Sequence, residues 1–123
     1  MTEKRCRELV YARADRFCER CCRNGPVFSV HHRLKRSHGG LWTPDNCVLI
    51  CGTGTQGCHQ WVEEHADAAA VEGWHVRPWQ DPAEVPVLYR GNEWSLLTTE
   101  GTRERLRENP QRFPPAPEGG PVQ

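Results

Sequence analysis

The spacing of the cysteines is the feature that most restricts how this chain can fold. Cys18 and Cys21 form a C-x2-C knuckle, and Cys51 and Cys58 form a second pair with a six-residue, glycine-rich loop between them. Two such pairs 30 residues apart predict a four-thiolate zinc site, although the second pair is wider than the usual tight spacing. A small, polar chain with 8% aromatic residues has a modest core, which a structural Zn²⁺ would reinforce.

The remaining cysteines indicate the cellular compartment and offer alternative ligands for the zinc ion. The chain has seven cysteines, and an odd number argues against a closed disulfide framework. No apolar run follows Met1, so we expect no secretory signal and a cytoplasmic protein whose thiols stay reduced. Reduced cysteines that bind no metal are the alternative. Cys22 and Cys47 could replace their neighbours as ligands, and Cys6 fits a helix face.

Charge is unevenly distributed along a chain whose formal net charge is zero. The first 40 residues carry ten Lys and Arg against four Asp and Glu, whereas residues 41–123 carry six against twelve. A basic N-terminal part favours a polyanionic partner such as nucleic acid. No stretch approaches the roughly 20 apolar residues of a membrane-spanning helix, so we expect no membrane partner.

Residue patterns predict a domain of the α+β class. Apolar spacing predicts a basic amphipathic helix over residues 3–15, and β-prone runs predict two short strands, VFSVHH and CVLIC. An Ala- and Glu-rich segment predicts a helix from His59 to Gly73. Beyond it, we expect strands in WHVRPW and in VPVLYRGNEWSLLT, with a hairpin turn at Arg90-Gly91-Asn92, and a short helix in TRERLRE. Residues 109–123 are rich in Pro and Gly, which is typical of a disordered tail.

Three histidines and an asparagine form a second group of residues, which could bind a metal ion and transfer protons. His31 and His32 end the first strand, Asn46 precedes the second strand, and His59 begins the next helix. Phosphodiester hydrolysis needs a divalent ion, a neutral imidazole that takes a proton from water, and a group that orients that imidazole. Adjacent strand residues point to opposite faces, so the doublet can share these tasks only where the strand is turning. Glu63 lies four residues after His59 on the same helix face and could complete the ligands of the ion.

A resemblance to a known family follows from these motifs taken together. The chain resembles the HNH endonucleases, and most of all the small HNH proteins of actinobacterial phages, in CERC, VHHRLKRSHGG, DNCVLIC and GCHQWVEE. The resemblance covers roughly residues 6–79 and implies a ββα-metal fold, or His-Me finger, with a four-cysteine zinc knuckle and an N-terminal helix. The expected organisation is an HNH nuclease domain over residues 1–79, a β-hairpin extension packed on it over residues 80–108, and the tail over residues 109–123.

The resemblance implies a role for each residue of this second group. His31 would be the first metal ligand, His32 the general base, Asn46 the residue that fixes the loop and orients His32, and His59 the last metal ligand. Some relatives have a second helical histidine where this chain has Glu63, which leaves the third ligand and the catalytic metal open among Mg²⁺, Mn²⁺, Ni²⁺ and Zn²⁺. The implied activity is hydrolysis of DNA phosphodiester bonds, by nicking or by double-strand cleavage.

Basic residues follow the doublet, and we expect three of them to contact the phosphates of double-stranded DNA: Arg33, Lys35 and Arg36. The small phage members of the family serve genome packaging, which implies the terminase large subunit and the portal as partners and the host cytoplasm as the location.

The alternatives are a non-catalytic zinc module that binds DNA or protein, a nuclease that acts on RNA, and a homing-type enzyme. The other histidines are interpreted as surface residues: His38, His65 and His75.

Overall fold

The structure, a computed structural model, describes residues 1–107 as an α+β fold of three α-helices and two small antiparallel sheets. The helices are α1 (Glu3–Ala14), α2 (Gly57–Glu64) and α3 (Ala66–Val71). The first sheet contains β1 (Phe28–His32) and β2 (Cys47–Cys51), and the second contains β3 (Val87–Tyr89), β4 (Glu93–Leu97) and β5 (Arg103–Arg105). Within the described range, no helix is both long enough and apolar enough to cross a bilayer. The predicted disordered tail, 109–123, lies outside the described residues.

The hairpin of β1 and β2 has buried side chains on both of its faces. Because successive strand residues point to opposite sides, β2 supplies two separate cores. Val48 and Ile50 pack with side chains of α2 and α3, whereas Cys47 and Leu49 pack with the buried stripe of α1. The unbroken apolar run CVLIC is therefore the sequence of a strand that is covered on both sides.

The helix α1 covers one face of this hairpin. It begins after Thr2, whose hydroxyl accepts a hydrogen bond from the amide of Arg5 at 3.1 Å. Its buried residues are spaced four apart and form one stripe against β2: Cys6, Val10 and Ala14. The helix predicted over residues 3–15 is confirmed, and it ends one residue earlier, at Ala14.

The segment after β2 forms two helices rather than the single helix predicted from His59 to Gly73. The helix α2 ends before His65, whose backbone angles (φ −124°, ψ 59°) are not helical, and α3 begins at the next residue. The amide of His65 donates to the Trp61 carbonyl at 2.8 Å, and its own carbonyl accepts from Ala69 at 2.8 Å. Neither glycine nor proline stands at this break, so no residue pattern marks it.

The C-terminal part of the described chain differs from expectation in two places. Residues 74–79, predicted as a strand, form no regular element because they bridge other parts of the fold: Trp74 and Val76 are buried, and the amide of Val76 donates to the Arg33 carbonyl at 2.9 Å. The short helix predicted in residues 102–108 is also wrong, since Arg103–Arg105 pairs with β4 as β5. A short isolated helix is marginal, whereas pairing with a neighbouring strand gives every second residue its hydrogen bonds.

The hairpin turn predicted at residues 90–92 is confirmed, because it joins β3 to β4.

A buried carboxylate connects this second sheet to the N-terminal half. Glu19 is fully buried and accepts hydrogen bonds from Arg13 Nε at 2.7 Å, from the Leu49 amide at 2.8 Å and from the Tyr89 hydroxyl at 2.9 Å. The second sheet thus packs on the same core as the hairpin of β1 and β2.

Candidate metal centres

The four cysteines of the two predicted pairs come together in the structure. Their Sγ atoms all lie within 4.8 Å of one another, and the sulfurs of Cys21 and Cys51 are 3.8 Å apart. Cys18 and Cys21 lie in the turns after α1, Cys51 ends β2 and Cys58 lies in the first turn of α2. Four thiolates at these distances could hold one tetrahedral ion such as Zn²⁺. We call this group the cysteine centre.

Hydrogen bonds to sulfur show that the cysteine centre suits thiolates. The amides of Cys21 and Cys51 donate to Cys18 Sγ at 3.4 and 3.3 Å, and the amide of Cys58 donates to Cys51 Sγ at 3.4 Å. A hydrogen bond with the Cys58 side chain and then the amides of Cys21 and Cys51 lower the pKa of Cys18, whereas the same contact between the two thiols raises the pKa of Cys58. Donors aimed at sulfur stabilise the deprotonated form that binds metal, so the donor set fits a zinc ion.

A tight turn brings the two widely spaced cysteines of the second pair together. Gly52 has φ 88°, and a Cβ added to it would lie 2.1 Å from the Gln56 carbonyl oxygen. Thr53 and Gln56 exchange backbone hydrogen bonds of 3.0 and 3.1 Å across the turn. Glycine is therefore required at position 52, and the turn returns the chain so that Cys58 meets Cys51.

The other cysteines lie outside this centre. Cys6 and Cys47 are fully buried between α1 and β2, and Cys22 is exposed. Burial raises the pKa of the Cys47 thiol, which keeps it protonated and apolar in character. The structure therefore gives Cys22 and Cys47 no place as substitutes in the cysteine centre.

A second candidate centre forms between the hairpin and α2. Ligand atoms of His31, His59 and Glu63 lie within 4.8 Å of one another, and Glu63 Oε2 is 3.7 Å from both His31 Nδ1 and His59 Nε2. The residue spacing predicted that His59 and Glu63 share a helix face, and the structure confirms it. We call this group the histidine centre.

The protonation state of His31 suits a metal ligand. Its Nε2 lies 2.8 Å from the Trp74 carbonyl oxygen, and because a carbonyl can only accept, the hydrogen is on Nε2. The other nitrogen, Nδ1, then carries a lone pair on the side of Glu63. Burial lowers the pKa of His31 to about 3, so the ring is neutral at physiological pH. A neutral, oriented imidazole is what metal coordination requires.

His75 belongs to the surroundings of the histidine centre, and its interpretation as a surface residue is wrong. It is 6% exposed, its ring meets the His31 ring edge-on at 5.5 Å between centroids, and its Nε2 donates to the Val62 carbonyl at 2.8 Å. His75 lies in a segment without regular structure, 16 residues after His59, and no motif spacing connects the two. Only the tertiary fold brings this residue to the site.

His32 does not join the histidine centre. Its ring packs edge-on against Trp42 at 4.3 Å, and burial, then Arg36 and Arg7, lower its pKa. The strand stays regular through His32, so the doublet points to opposite sides of the hairpin, with His31 towards α2 and His32 towards α1. The Nε2 atom of His32 has no hydrogen-bond partner among residues 1–107. The role of His32 as a general base stays a prediction.

Asn46 fixes the loop between β1 and β2. Its Oδ1 accepts from the Leu34 amide at 2.7 Å, and its Nδ2 donates to the carbonyls of Leu34 and Leu41, both at 3.1 Å. The side chain is 1% exposed, so these bonds replace solvent completely. The loop also needs Gly40, because a Cβ at that position would lie 1.8 Å from the Leu34 carbonyl oxygen. Asn46 therefore holds this loop closed, and its expected role in orienting His32 stays a prediction.

Arg33 is a structural residue, which corrects its expected role as a phosphate contact. It is fully buried, and its guanidinium donates to the carbonyl oxygens of Gly73, Asp45 and Pro82 at 2.8, 2.7 and 3.2 Å, and to that of Val85. Arg33 therefore connects the end of the hairpin to the segment before β3. By contrast, the side chains of the neighbouring basic residues are exposed, as DNA binding would require: Lys35 and Arg36.

Comparison of the chain with protein-family models, with curated proteins and with solved structures finds no match.

Proposed function

We propose that this protein is a metal-dependent endonuclease of the HNH type that hydrolyses phosphodiester bonds in DNA. The observation that carries the proposal is the histidine centre itself: two imidazoles and a carboxylate from β1 and α2, beside a loop that an asparagine holds closed. Two antiparallel strands followed by a helix, with ligands on the first strand and on the helix, is the arrangement that the resemblance to HNH endonucleases implies.

The residues of the histidine centre have distinct tasks in this proposal. His31 and His59 hold a divalent ion, and Glu63 completes the protein ligands. Such an ion would supply positive charge to the phosphoryl oxygens and lower the pKa of a bound water. Because one ligand is a carboxylate, the centre suits hard ions such as Mg²⁺ or Mn²⁺ better than a set of three histidines would, and Ni²⁺ and Zn²⁺ are the other candidates.

The proposed base is His32, the last residue of β1. Its Nε2 is buried and has no hydrogen-bond partner among residues 1–107, and its pKa is lowered, so the ring is neutral, as a base that takes a proton from water must be. Asn46 keeps the backbone after His32 in place by holding Leu34. Lys35 and Arg36 lie on the same loop, and we propose that they contact DNA phosphates without reading sequence. The cysteine centre would hold a structural zinc that fixes the start of α2, close to His59.

The biological setting that we propose rests on the resemblance alone. Small HNH proteins of this kind act in phage genome packaging, so the terminase large subunit and the portal are the proposed partners besides double-stranded DNA. Copurification of the chain with these two proteins would test this part separately from the chemistry.

One observation favours a second function, a zinc module that binds DNA or protein without cleaving it. The His32 ring lies on the α1 side of the hairpin, where it contacts Trp42 rather than the histidine centre. If His32 has only this packing role, the cysteine centre and the exposed basic loop remain, and they are sufficient for a binding module.

Cleavage of a supercoiled plasmid tests the proposal. Protein loaded with zinc and then freed of weakly bound ions by dialysis is incubated with plasmid and with Mg²⁺, Mn²⁺, Ni²⁺, Co²⁺ or Zn²⁺, each alone. We expect relaxed or linear DNA with at least one ion, and loss of cleavage in His31→Ala, His59→Ala and His32→Ala. His65→Ala is the matched control, since this histidine is exposed at the end of α2 and is expected to keep full activity.

Binding data separate the two functions. Under the nuclease proposal, His32→Ala still binds the divalent ion and DNA but no longer cleaves. Absence of cleavage with every ion, by a folded and zinc-loaded wild type that binds DNA, would favour the binding module. Single-stranded and duplex RNA in the same buffer test the RNA-cleaving alternative.

A further inference from the structure

A continuous set of contacts joins the cysteine centre to the histidine centre. It runs from Cys58 through Arg20, Glu72 and Trp74 to His31. The four successive hydrogen bonds are 3.3, 3.0, 3.0 and 2.8 Å long. The roles assigned above use neither Arg20 nor Glu72, which are 52 residues apart in sequence, and they use only the carbonyl of Trp74.

The first part of this path fixes a donor against a zinc ligand. Arg20 NH1 donates to Cys58 Sγ at 3.3 Å, and its guanidinium lies 3.7 Å from the centre of the Trp61 ring. Glu72 holds the other edge of the guanidinium, with Arg20 Nε 3.0 Å from Oε1. The arginine is thus held on three sides with one N–H directed at a sulfur. A cationic donor in this position stabilises the thiolate form of Cys58 that binds metal.

The middle of the path is a single carboxylate oxygen. Oε1 of Glu72 accepts both Arg20 Nε and the indole Nε1 of Trp74, each at 3.0 Å. The position of the Trp74 ring is therefore tied to the position of the guanidinium. Trp74 is fully buried and lies in the core that also contains Cys18 and Cys58, so it cannot move independently.

The last part of the path orients the histidine centre. The Trp74 carbonyl accepts from His31 Nε2 at 2.8 Å, which sets the tautomer and the direction of the ligand atom. The next residue, His75, donates to the Val62 carbonyl of α2 at 2.8 Å. Residues 74–75 therefore hold both β1 and the helix that carries His59 and Glu63.

We propose that Arg20, Glu72 and Trp74 are positioning residues that couple the two centres, so that metal binding at each centre raises the affinity of the other. The inference rests on the proposed function of the histidine centre. Coupling through a shared structural path is reciprocal, and typical values change affinity by about 5- to 150-fold. Residues that orient metal ligands typically contribute about 10- to 100-fold to metal affinity.

Two binding assays on the full chain test this coupling. The affinity of the histidine centre is measured by calorimetric titration of zinc-loaded and of metal-free protein with Mn²⁺, a hard ion that does not compete for thiolates. The affinity of the cysteine centre is measured on protein without zinc, in the absence and presence of saturating Mn²⁺, from the thiolate-to-cobalt absorption of Co²⁺ in competition with a chelator. The variants are Arg20→Gln, Glu72→Gln and Trp74→Phe. The matched controls are Arg23→Gln and Glu64→Gln, both of which change exposed residues.

The three variants should give different patterns. Trp74→Phe removes the indole N–H together with the five-membered ring that carries it, so it should weaken Mn²⁺ binding about 5-fold or more and leave the Co²⁺ affinity unchanged. Arg20→Gln should weaken Co²⁺ binding about 10- to 100-fold and Mn²⁺ binding less. Glu72→Gln should weaken both, and the controls should weaken neither. A purely structural role would lower the melting temperature without this separation between the two centres.

Two results would overturn the inference. Mn²⁺ affinity that is unchanged in both Glu72→Gln and Trp74→Phe shows that the path carries no coupling, whatever the wild type cleaves. A wild type that binds no Mn²⁺, or binds it equally well after His31→Ala, removes the histidine centre as a metal site and so refutes the proposed function as well. If Trp74→Phe does not fold, the partly exposed Glu72 gives the decisive variant.

Discussion

Replacing Arg33 with methionine should destabilise the fold strongly instead of merely weakening DNA binding. The guanidinium is fully buried and donates to the carbonyl oxygens of four residues: Gly73, Asp45, Pro82 and Val85. Methionine has much of the same apolar volume but no donor, so the carbonyls of Gly73, Asp45 and Val85 would lose this partner, whereas that of Pro82 would keep the Val85 amide. The variant therefore exposes how much of the fold depends on this one side chain.

The size of the effect follows from the number of lost hydrogen bonds. A buried polar group left without a partner costs about 1–3 kcal/mol, while removal of the buried charge recovers part of this. We expect the free energy of unfolding to fall by about 3–5 kcal/mol, because three buried carbonyls lose their donor and the removal of the buried charge offsets part of that cost. In a domain of this size the melting temperature should then fall by roughly 10–20 °C.

Urea unfolding followed by tryptophan fluorescence measures this loss. Arg36→Met is the matched control, because Arg36 is exposed and should change the free energy of unfolding by less than about 0.5 kcal/mol. Under the proposed function, DNA affinity should give the opposite ranking, with Arg36→Met as the weaker binder. A loss below about 1 kcal/mol for Arg33→Met would refute the account of Arg33 as the donor on which these carbonyls depend.

Three further changes test other parts of the structure. Asn46→Ala removes three hydrogen bonds that close the loop and should cost about 2–3 kcal/mol in urea unfolding; an unchanged midpoint would show that the loop closes without it. Gly40→Ala puts a Cβ against the Leu34 carbonyl and should speed amide hydrogen exchange in residues 34–46. In the control Gly39→Ala, no atom lies within 4 Å of the added Cβ, so this variant tests only the strain of a positive φ. Cys21→Ser should lower bound zinc and the melting temperature, and its exposed neighbour gives the control Cys22→Ser; equal zinc in both would contradict the cysteine centre.

Features that depend on residue type and on close neighbours in sequence could be predicted from local sequence patterns. The C-x2-C knuckle, the strand CVLIC and the hairpin turn at residues 90–92 follow from residue type and short spacing, and the structure contains all three. The group of His31, His59 and Glu63 was also predictable, because one strand end and one helix face bring these residues together.

The errors arose where tertiary contacts decide the outcome. Arg33 follows the doublet in a basic run and looks like a surface residue, but four carbonyls from distant segments surround it. His75 is buried only because residues 74–79 cross between β1 and α2. The segment Arg103–Arg105 pairs with β4 although its composition suits a helix. In each case the deciding partner is far away in sequence, so no local pattern could show it.

The central claim is that DNA cleavage uses an ion held by His31, His59 and Glu63. The most direct test is the Mn²⁺ concentration that gives half-maximal relaxation of supercoiled DNA, compared between wild type, Glu63→Gln and the control Glu64→Gln. Loss of one carboxylate ligand should raise this concentration about 10-fold or more for Glu63→Gln and leave it unchanged for Glu64→Gln. Equal Mn²⁺ requirements in all three proteins, or cleavage without any divalent ion, would contradict the account.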